Sequence, residues 1–165
     1  MSGTLTTPVL RSLNAADRGR IEEITRAAGL FREDEIPVAL EMFDGAAAGS
    51  PDYIALGAEQ DGRLVGWICW GPTPCTLGTY DLYWMAVDPA LQRGGIGTAL
   101  LHGMERRLLG VARLIVVETA GRADYRGTRA FYQARGYAVA ATIPDFYAAG
   151  DAQVIYVKSL STRSR

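Results

Sequence analysis

Val87-Asp88-Pro89-Ala90-Leu91-Gln92-Arg93-Gly94-Gly95-Ile96-Gly97-Thr98-Ala99-Leu100-Leu101 reads as the end of a β-strand, a loop holding three glycines, and the first turns of a helix. A glycine loop that opens a helix leaves backbone N–H groups without intrahelical partners. With the positive end of the helix dipole, those donors form a site suited to phosphate. The stretch therefore points to a phosphorylated small molecule as ligand.

Two nucleotide-binding fingerprints do not fit it. A Walker A loop needs Gly-x-x-x-x-Gly-Lys-Ser/Thr, and no lysine follows Gly97; the chain's one lysine is Lys158. A dinucleotide fingerprint needs Gly-x-Gly-x-x-Gly, and Gly95-x-Gly97 is followed by Leu100 where the third glycine should stand.

Working outward, Val9 to Leu13 is a short strand candidate. Asn14 caps a helix running to about Ala28, with Ile21 and Ile24 inward and Gly29 as its stop. A second helix is expected from about Glu33 to Ala48, with Ile36, Leu40 and Phe43 at helical spacing. Tyr53 to Glu59 and Arg63 to Trp70 read as strands joined at Asp61-Gly62, a hairpin signal, and Gly71-Pro72-Thr73-Pro74 breaks the pattern. Tyr80 to Val87 is an aromatic-rich strand leading into the glycine loop, whose helix runs to about Leu109. Arg113 to Thr119 carries Leu-Ile-Val-Val, the continuous apolar run of a central buried strand. Ala123 to Arg135 is helical and ends at Gly136. Tyr137 to Ile143 and Gln153 to Lys158 are strands around a loop, Pro144 to Ala152, and Ser159 to Arg165 is a polar tail expected to be flexible. Hairpins mixed with helical crossovers argue for an α+β fold, one mixed sheet with helices on its faces. No internal repeat or linker is visible, so residues 1–165 are read as one domain.

The composition fits an ordinary globular domain: 165 residues, 48% apolar, 21% charged, net charge −1. That balance gives no bulk attraction to nucleic acid. No apolar run approaches the roughly 20 residues that span a bilayer, so no membrane partner is expected. Met1 to Thr7 lacks the basic and apolar regions of a secretory signal, and a cytoplasmic location is the expectation that follows. Two cysteines and one histidine rule out zinc sites of four Cys/His ligands, and no metal is expected. A Cys–His nucleophile pair reduces to Cys69 or Cys75 with His102; the alternative is that both thiols are reduced and partly buried. His102 lies off the apolar stripe of Ile96, Ala99, Leu100 and Met104 and is read as a surface residue.

Gln92-Arg93-Gly94-Gly95-Ile96-Gly97 fits the pattern Gln/Arg-x-x-Gly-x-Gly/Ala, preceded by Met85-Ala86-Val87-Asp88-Pro89. Downstream, Ala130-Phe131-Tyr132-Gln133-Ala134-Arg135-Gly136-Tyr137 places an aromatic–Tyr pair at a helix end before Gly and an aromatic strand start. The two motifs, in this order and between these elements, resemble the acetyl-CoA-binding and second signatures of the GNAT family (GCN5-related N-acetyltransferases). Asp81-Leu82-Tyr83-Trp84-Met85-Ala86-Val87, Val117-Glu118-Thr119 and Ile143 to Asp151 look like a bacterial subgroup of that family with an undefined acceptor.

The resemblance implies a central mixed, mostly antiparallel sheet of about seven strands, helices on both faces, and a splay between the fourth and fifth strands. It implies transfer of an acetyl group from acetyl-CoA, as cosubstrate and without metal, to an amine acceptor. That acceptor is a small or amino-acid-like amine, or else a protein lysine or N-terminus; the further alternatives are an acyl-CoA-binding or sensor domain without activity and an adapter without cofactor, which the intact loop disfavours. On this reading the N–H groups from Arg93 to Thr98, including Gly94, Gly95, Ile96 and Gly97 and preceded by Gln92, bind the pyrophosphate. Arg93 either adds charge there or is a solvated arginine. Met85, Ala86 and Val87 pair with the pantetheine arm like an added strand, and an N–H at Ala86 or Val87 faces the thioester oxygen. Tyr132 stands at the general-acid position, the alternative being a core aromatic. Asp81 or Glu118 takes the amine's proton, or a water chain does. The family often has asparagine where this chain has Tyr125, so Thr128 or Arg129 would contact the cofactor instead.

For the acceptor side, the resemblance points to the second helix, with Glu33, Asp34, Glu35, Glu41 and Asp44, and to aromatic surface from Tyr80, Tyr83, Trp84, Phe146 and Tyr147. The acids are either a solvated face or a wall suited to an ammonium group. The Pro144 to Asp151 loop is a lid or dimer contact, or Phe146 packs in the core. The chain is expected to be a monomer or a homodimer.

Overall fold

The computed structural model describes residues 6–160, with Gln92 and Arg93 described by their backbone alone. Seven strands, β1 (Val9–Ser12), β2 (Ile54–Gln60), β3 (Arg63–Pro72), β4 (Thr79–Val87), β5 (Leu114–Ala120), β6 (Ala138–Ala148) and β7 (Asp151–Ser159), take the order β1-β2-β3-β4-β5-β7-β6. The helices are α1 (Arg18–Ala27), α2 (Ile36–Ala47), α3 (Ile96–Leu108) and α4 (Arg126–Ala134). β4 and β5 are parallel, while β1–β2, β2–β3, β5–β7 and β6–β7 are antiparallel, the mixed sheet expected from the sequence. The β4–β5 ladder ends at Leu82↔Val117, although β4 runs on to Val87 and β5 to Ala120, in keeping with the expected splay. Two compact units divide the chain: one holds the residues up to Gly71 with Trp84–Arg107, the other Pro72–Tyr83 with the residues from Leu108.

In the first unit, adjacent residues of β3 point to opposite faces. On one face Trp67 stands 6.1 Å from Phe43 of α2, edge to face, and donates its indole N–H to Thr25 Oγ1 of α1 at 3.1 Å. On the other, a Cβ at Gly66 would stand 3.0 Å from Ile96 Cγ2, 3.1 Å from Leu100 Cδ1 and 3.2 Å from the Ala86 carbonyl. Glycine at 66 therefore lets α3 lie directly on β3, and Gly103 does the same against Leu10 and Leu56. Helices thus cover both faces of this unit. Asp61 and Gly62 both take positive φ, 51° and 75°, as a type I′ hairpin requires. Cys69 is fully buried and Cys75 exposed; burial pushes the Cys69 thiol up to about 12, so it is no nucleophile at neutral pH.

In the second unit, α4 lies over the Val117 face of β5, where Tyr132 meets Tyr156 of β7. β6 is an edge strand, exposed along almost its whole length.

Three expectations are corrected. Pro144 to Ala152 is not a loop: β6 continues through Ala148 and turns at Ala149-Gly150 into β7. Proline is tolerated there because an edge strand does not need every N–H, and Asp145, at φ 53° in a register shift, accepts from Gly150 N–H at 2.7 Å. Phe146 is exposed, its ring 4.9 Å from Tyr147, which removes the core reading. The second helix begins at Ile36, so Glu33, Asp34 and Glu35 precede it. At the C-terminus Ser159 closes β7 and Leu160 N–H reaches Arg113 O at 2.9 Å; the rest of the expected tail lies outside the described residues.

Candidate active site

The strand–loop–helix of the first unit is built as its sequence suggests. Asp88, at the loop's start, is held three ways: its N–H donates to Val65 O at 2.8 Å, its carboxylate accepts from Ala90 N–H at 3.1 Å, and Arg20 binds it at 2.6 Å. The Arg20 guanidinium holds the Asp88 carboxyl below the usual carboxylate range. A 3-10 turn, Pro89–Gly94, follows, and Gly95 then takes φ 74°. A Cβ at Gly95 would meet nothing within 4 Å, so glycine is required by the backbone angle and not by protein crowding. The α3 ladder begins with Ala99 N–H bonding Gly95 O at 2.9 Å. The N–H groups of Ile96 and Gly97 therefore precede the ladder at the positive helix end. This open left-handed glycine before a row of N–H groups fits a pyrophosphate. Beside it lies a cleft of about 480 Å³ lined by Gly94, Gly95, Thr98, His102 and Arg106 with residues of the N-terminal segment. His102 is exposed, as expected. The side chains of Gln92 and Arg93, and so the charge expected of Arg93, lie outside what is described.

Met85, Ala86 and Val87 form the end of β4. Trp84, just before them, is held edge to face by Phe31 at 4.7 Å and directs its indole N–H to Met42 Sδ at 3.2 Å. Sequence reading found Trp84 but not Phe31 or Met42. Three of the five acids expected nearby are engaged by arginine side chains, Asp44 by Arg18 at 2.9 Å, Asp34 by Arg32 at 3.0 Å and Glu33 by Arg26, and Glu35 accepts from the Arg32 backbone N–H. These four form a paired surface rather than a wall of free carboxylates.

The second unit brings together Asp81, Glu118 and Tyr132, on two faces. Tyr132 is 3% exposed, its ring 5.5 Å from Tyr137 and 6.4 Å from Tyr156. Burial, with Tyr125 nearby, pushes its phenol well above the usual tyrosine range, so it stays protonated. Tyr156 is opposite Val117, which places Tyr132 on the Val117 face. Glu118 alternates to the other face, and Asp81, opposite Val116, shares it. Solvent reaches Glu118, yet partial desolvation raises its pKa, Asp81 adds to the rise, and a hydrogen bond from Gln153 opposes it. Asp81 accepts from Thr73 Oγ1 at 2.7 Å. Neither Thr73 nor Gln153 stood out in the sequence; a glutamine inside the apolar run of β7 was the available signal.

On α4, Thr128 is half-buried, and Arg129 Nη1 donates to the carbonyls of Ala120 at 2.6 Å and Arg122 at 3.0 Å, closing the end of β5. Tyr125 lies under the Arg122 guanidinium at 4.8 Å. Among the described residues no group of three or more His, Cys, Asp or Glu could hold a metal, and no helix is long and apolar enough to cross a membrane.

Residues 20–137 match the model of the acetyltransferase (GNAT) family. S-(2-succino)cysteine N-acetyltransferase of Bacillus subtilis is 33% identical over 84 residues, 48% of this chain; the chain spans 51% of that relative's length. A crystal structure of a GNAT-family acetyltransferase from Desulfovibrio desulfuricans superposes with a TM-score of 0.89 at 34% identity, covering 94% of this chain and all of that one (100%). The PaiA N-acetyltransferase of Thermoplasma acidophilum, solved with coenzyme A, gives a TM-score of 0.71 at 19% identity over 93% of this chain and 99% of that one, a likeness of fold.

Proposed function

The chain belongs to the acetyltransferase (GNAT) family, whose donor is acetyl-CoA, and on that premise we propose that it acetylates the primary amine of a small, amino-acid-like acceptor by direct transfer. The observation that carries this reading is the division of labour across the sheet of the second unit. A buried, firmly protonated phenol, Tyr132, lies on one face, and a carboxylate of raised pKa, Glu118, lies on the other.

The donor's pyrophosphate takes the N–H groups ahead of the α3 ladder, and its pantetheine arm takes the backbone of Met85 to Val87, with an N–H there turned to the thioester oxygen. The acceptor arrives as an ammonium and loses a proton to Glu118, directly or through water. Its nitrogen then attacks the thioester carbonyl, forming a C–N bond as the C–S bond breaks. Glu118 passes the first proton to solvent and is free to take the second amine proton. The thiolate takes a proton from Tyr132 to give amide and free thiol, and the Tyr132 phenolate regains a proton from solvent before the next turnover. A raised pKa suits Glu118, because a stronger base takes an ammonium proton more readily at neutral pH. A coenzyme A thiol, near a cysteine's pKa of about 8.5, is already a fair leaving group, so Tyr132 assists without carrying the whole step.

The amino-acid-like acceptor is supported by the relative named for S-(2-succino)cysteine and by the Phe31–Trp84–Met42 group, an apolar surface for a side chain. The test is release of coenzyme A thiol from acetyl-CoA over a library of amines, amino acids and peptides that includes S-(2-succino)cysteine, with wild type, Glu118→Gln and Tyr132→Phe. Turnover is expected with a small amine and reduced in both variants. Turnover with peptides alone would move the acceptor to protein, and none with any amine would leave a binding domain.

A further inference from the structure

On the face that carries Glu118, two neutral polar side chains stand against the acids. In the β5–β7 register Glu118 is opposite Ile155 and Ala120 opposite Gln153, so Gln153 is the diagonal neighbour of Glu118 on the same face. Gln153 is 3% exposed, and its amide lies within reach of the Glu118 carboxyl, where it favours the charged form. Thr73, just after β3, donates from Oγ1 to Asp81 Oδ2 of β4 at 2.7 Å. Two acids on one face, each held by a neutral hydrogen-bond donor, make a defined constellation.

We propose that Gln153 is a positioning residue for acetyl transfer: its amide holds the Glu118 carboxylate in place, as Thr73 holds Asp81, so that the two acids act as one proton-accepting pair. The proposal rests on the reading of Glu118 as the base. Burying an amide beside a carboxylate, rather than a basic side chain, has a chemical consequence. An arginine there would neutralise Glu118 and depress its basicity, whereas the amide orients the charge and leaves most of its basicity. Asp81 works the opposite way, its like charge making the proton on Glu118 harder to lose. The groups facing Glu118 are Asp81 from β4 and Gln153 from β7. Farther along the same face Asp151 is bound by Arg122 at 3.5 Å, and Tyr83 follows Asp81 on β4.

The test is an NMR titration of the Glu118 carboxyl in wild type, Gln153→Leu, Gln153→Met and Asp81→Asn, with folding checked by circular dichroism. Wild type should titrate above the ordinary glutamate value of about 4.3. Gln153→Leu should move the midpoint up by roughly half a unit or more, and Asp81→Asn should move it down. Should Gln153→Leu not fold, the similarly sized and neutral Gln153→Met carries the test, and it too should move the midpoint up. The acidic limb of kcat with the best acceptor of the library should follow the same shifts, with KM for acetyl-CoA unchanged. A midpoint that stays at the wild-type value in the folded Gln153 variants overturns the positioning role. A midpoint that moves while the kcat limb does not follow overturns Glu118 as base, and the positioning claim with it.

Discussion

Gly95 and Gly62 make a matched pair for testing the donor site. Both take left-handed φ, 74° and 75°, and a Cβ at either would meet no protein atom within 4 Å. Alanine at each therefore carries the same conformational cost, about 1 kcal/mol for an L-residue in that region, with no clash added. For a chain of this size that corresponds to a fall of roughly 2–4 °C in Tm. The two sites differ only in what lies beyond the new methyl. At Gly62 it is solvent at the tip of a hairpin; at Gly95 it is the space in front of the α3 N-terminus, where phosphate is proposed to sit. Gly95→Ala should weaken acetyl-CoA binding by about tenfold or more, which is about 1.4 kcal/mol, while Gly62→Ala leaves it unchanged. Differential scanning fluorimetry measures the first effect and isothermal titration calorimetry the second. Wild-type affinity in Gly95→Ala, or equal weakening in both variants, would refute the assignment of the loop.

Tyr132→Phe should lower kcat by about 100-fold, near the low end for general acid catalysis, and leave acetyl-CoA affinity intact; steady-state kinetics with calorimetry separates the two. Glu118→Gln should abolish most turnover yet raise Tm at neutral pH. The folded-state pKa of Glu118 is raised, so its share of stability is present at low pH and lost as pH rises through the folded value. The gain over wild type should vanish below the ordinary glutamate range of about 4.3, which thermal melts across pH will show. Asp88 behaves oppositely: its folded pKa is depressed by Arg20, so its contribution is present above about 3.9 and lost as pH falls through the folded value. Arg20→Met should flatten that part of the acid-denaturation curve, leaving the part due to Asp17, whose carboxyl Arg11 depresses in the same way.

What the sequence disclosed follows from how local each signal is. The glycine loop, the Asp61-Gly62 turn and the helix ending at Gly136 are set by residues within a few positions of each other, and all three stand where they were read. The β6–β7 hairpin was misread because Pro144 and Gly150 both signal loops. One is tolerated on an edge strand and the other makes a two-residue turn. The partners of the site residues were not legible at all. Trp84 meets Met42 across 42 positions, and Gln153 reaches Glu118 only through the β5–β7 register. Such contacts arise from strand order, which no local pattern carries. The arginines that pair with Glu33, Asp34 and Asp44 lie close to them in sequence or on the facing helix, yet charge pattern alone did not separate an acceptor wall from a salt-bridged surface.

Direct transfer is the central claim, and following the acetyl group itself tests it. In a single turnover with acetyl-labelled acetyl-CoA and an active amine, the label should pass to the amide of the product in step with thiol release, with none retained on the protein. Label found covalently on the chain before product appears, or thiol released with the label recovered as free acetate, would contradict it.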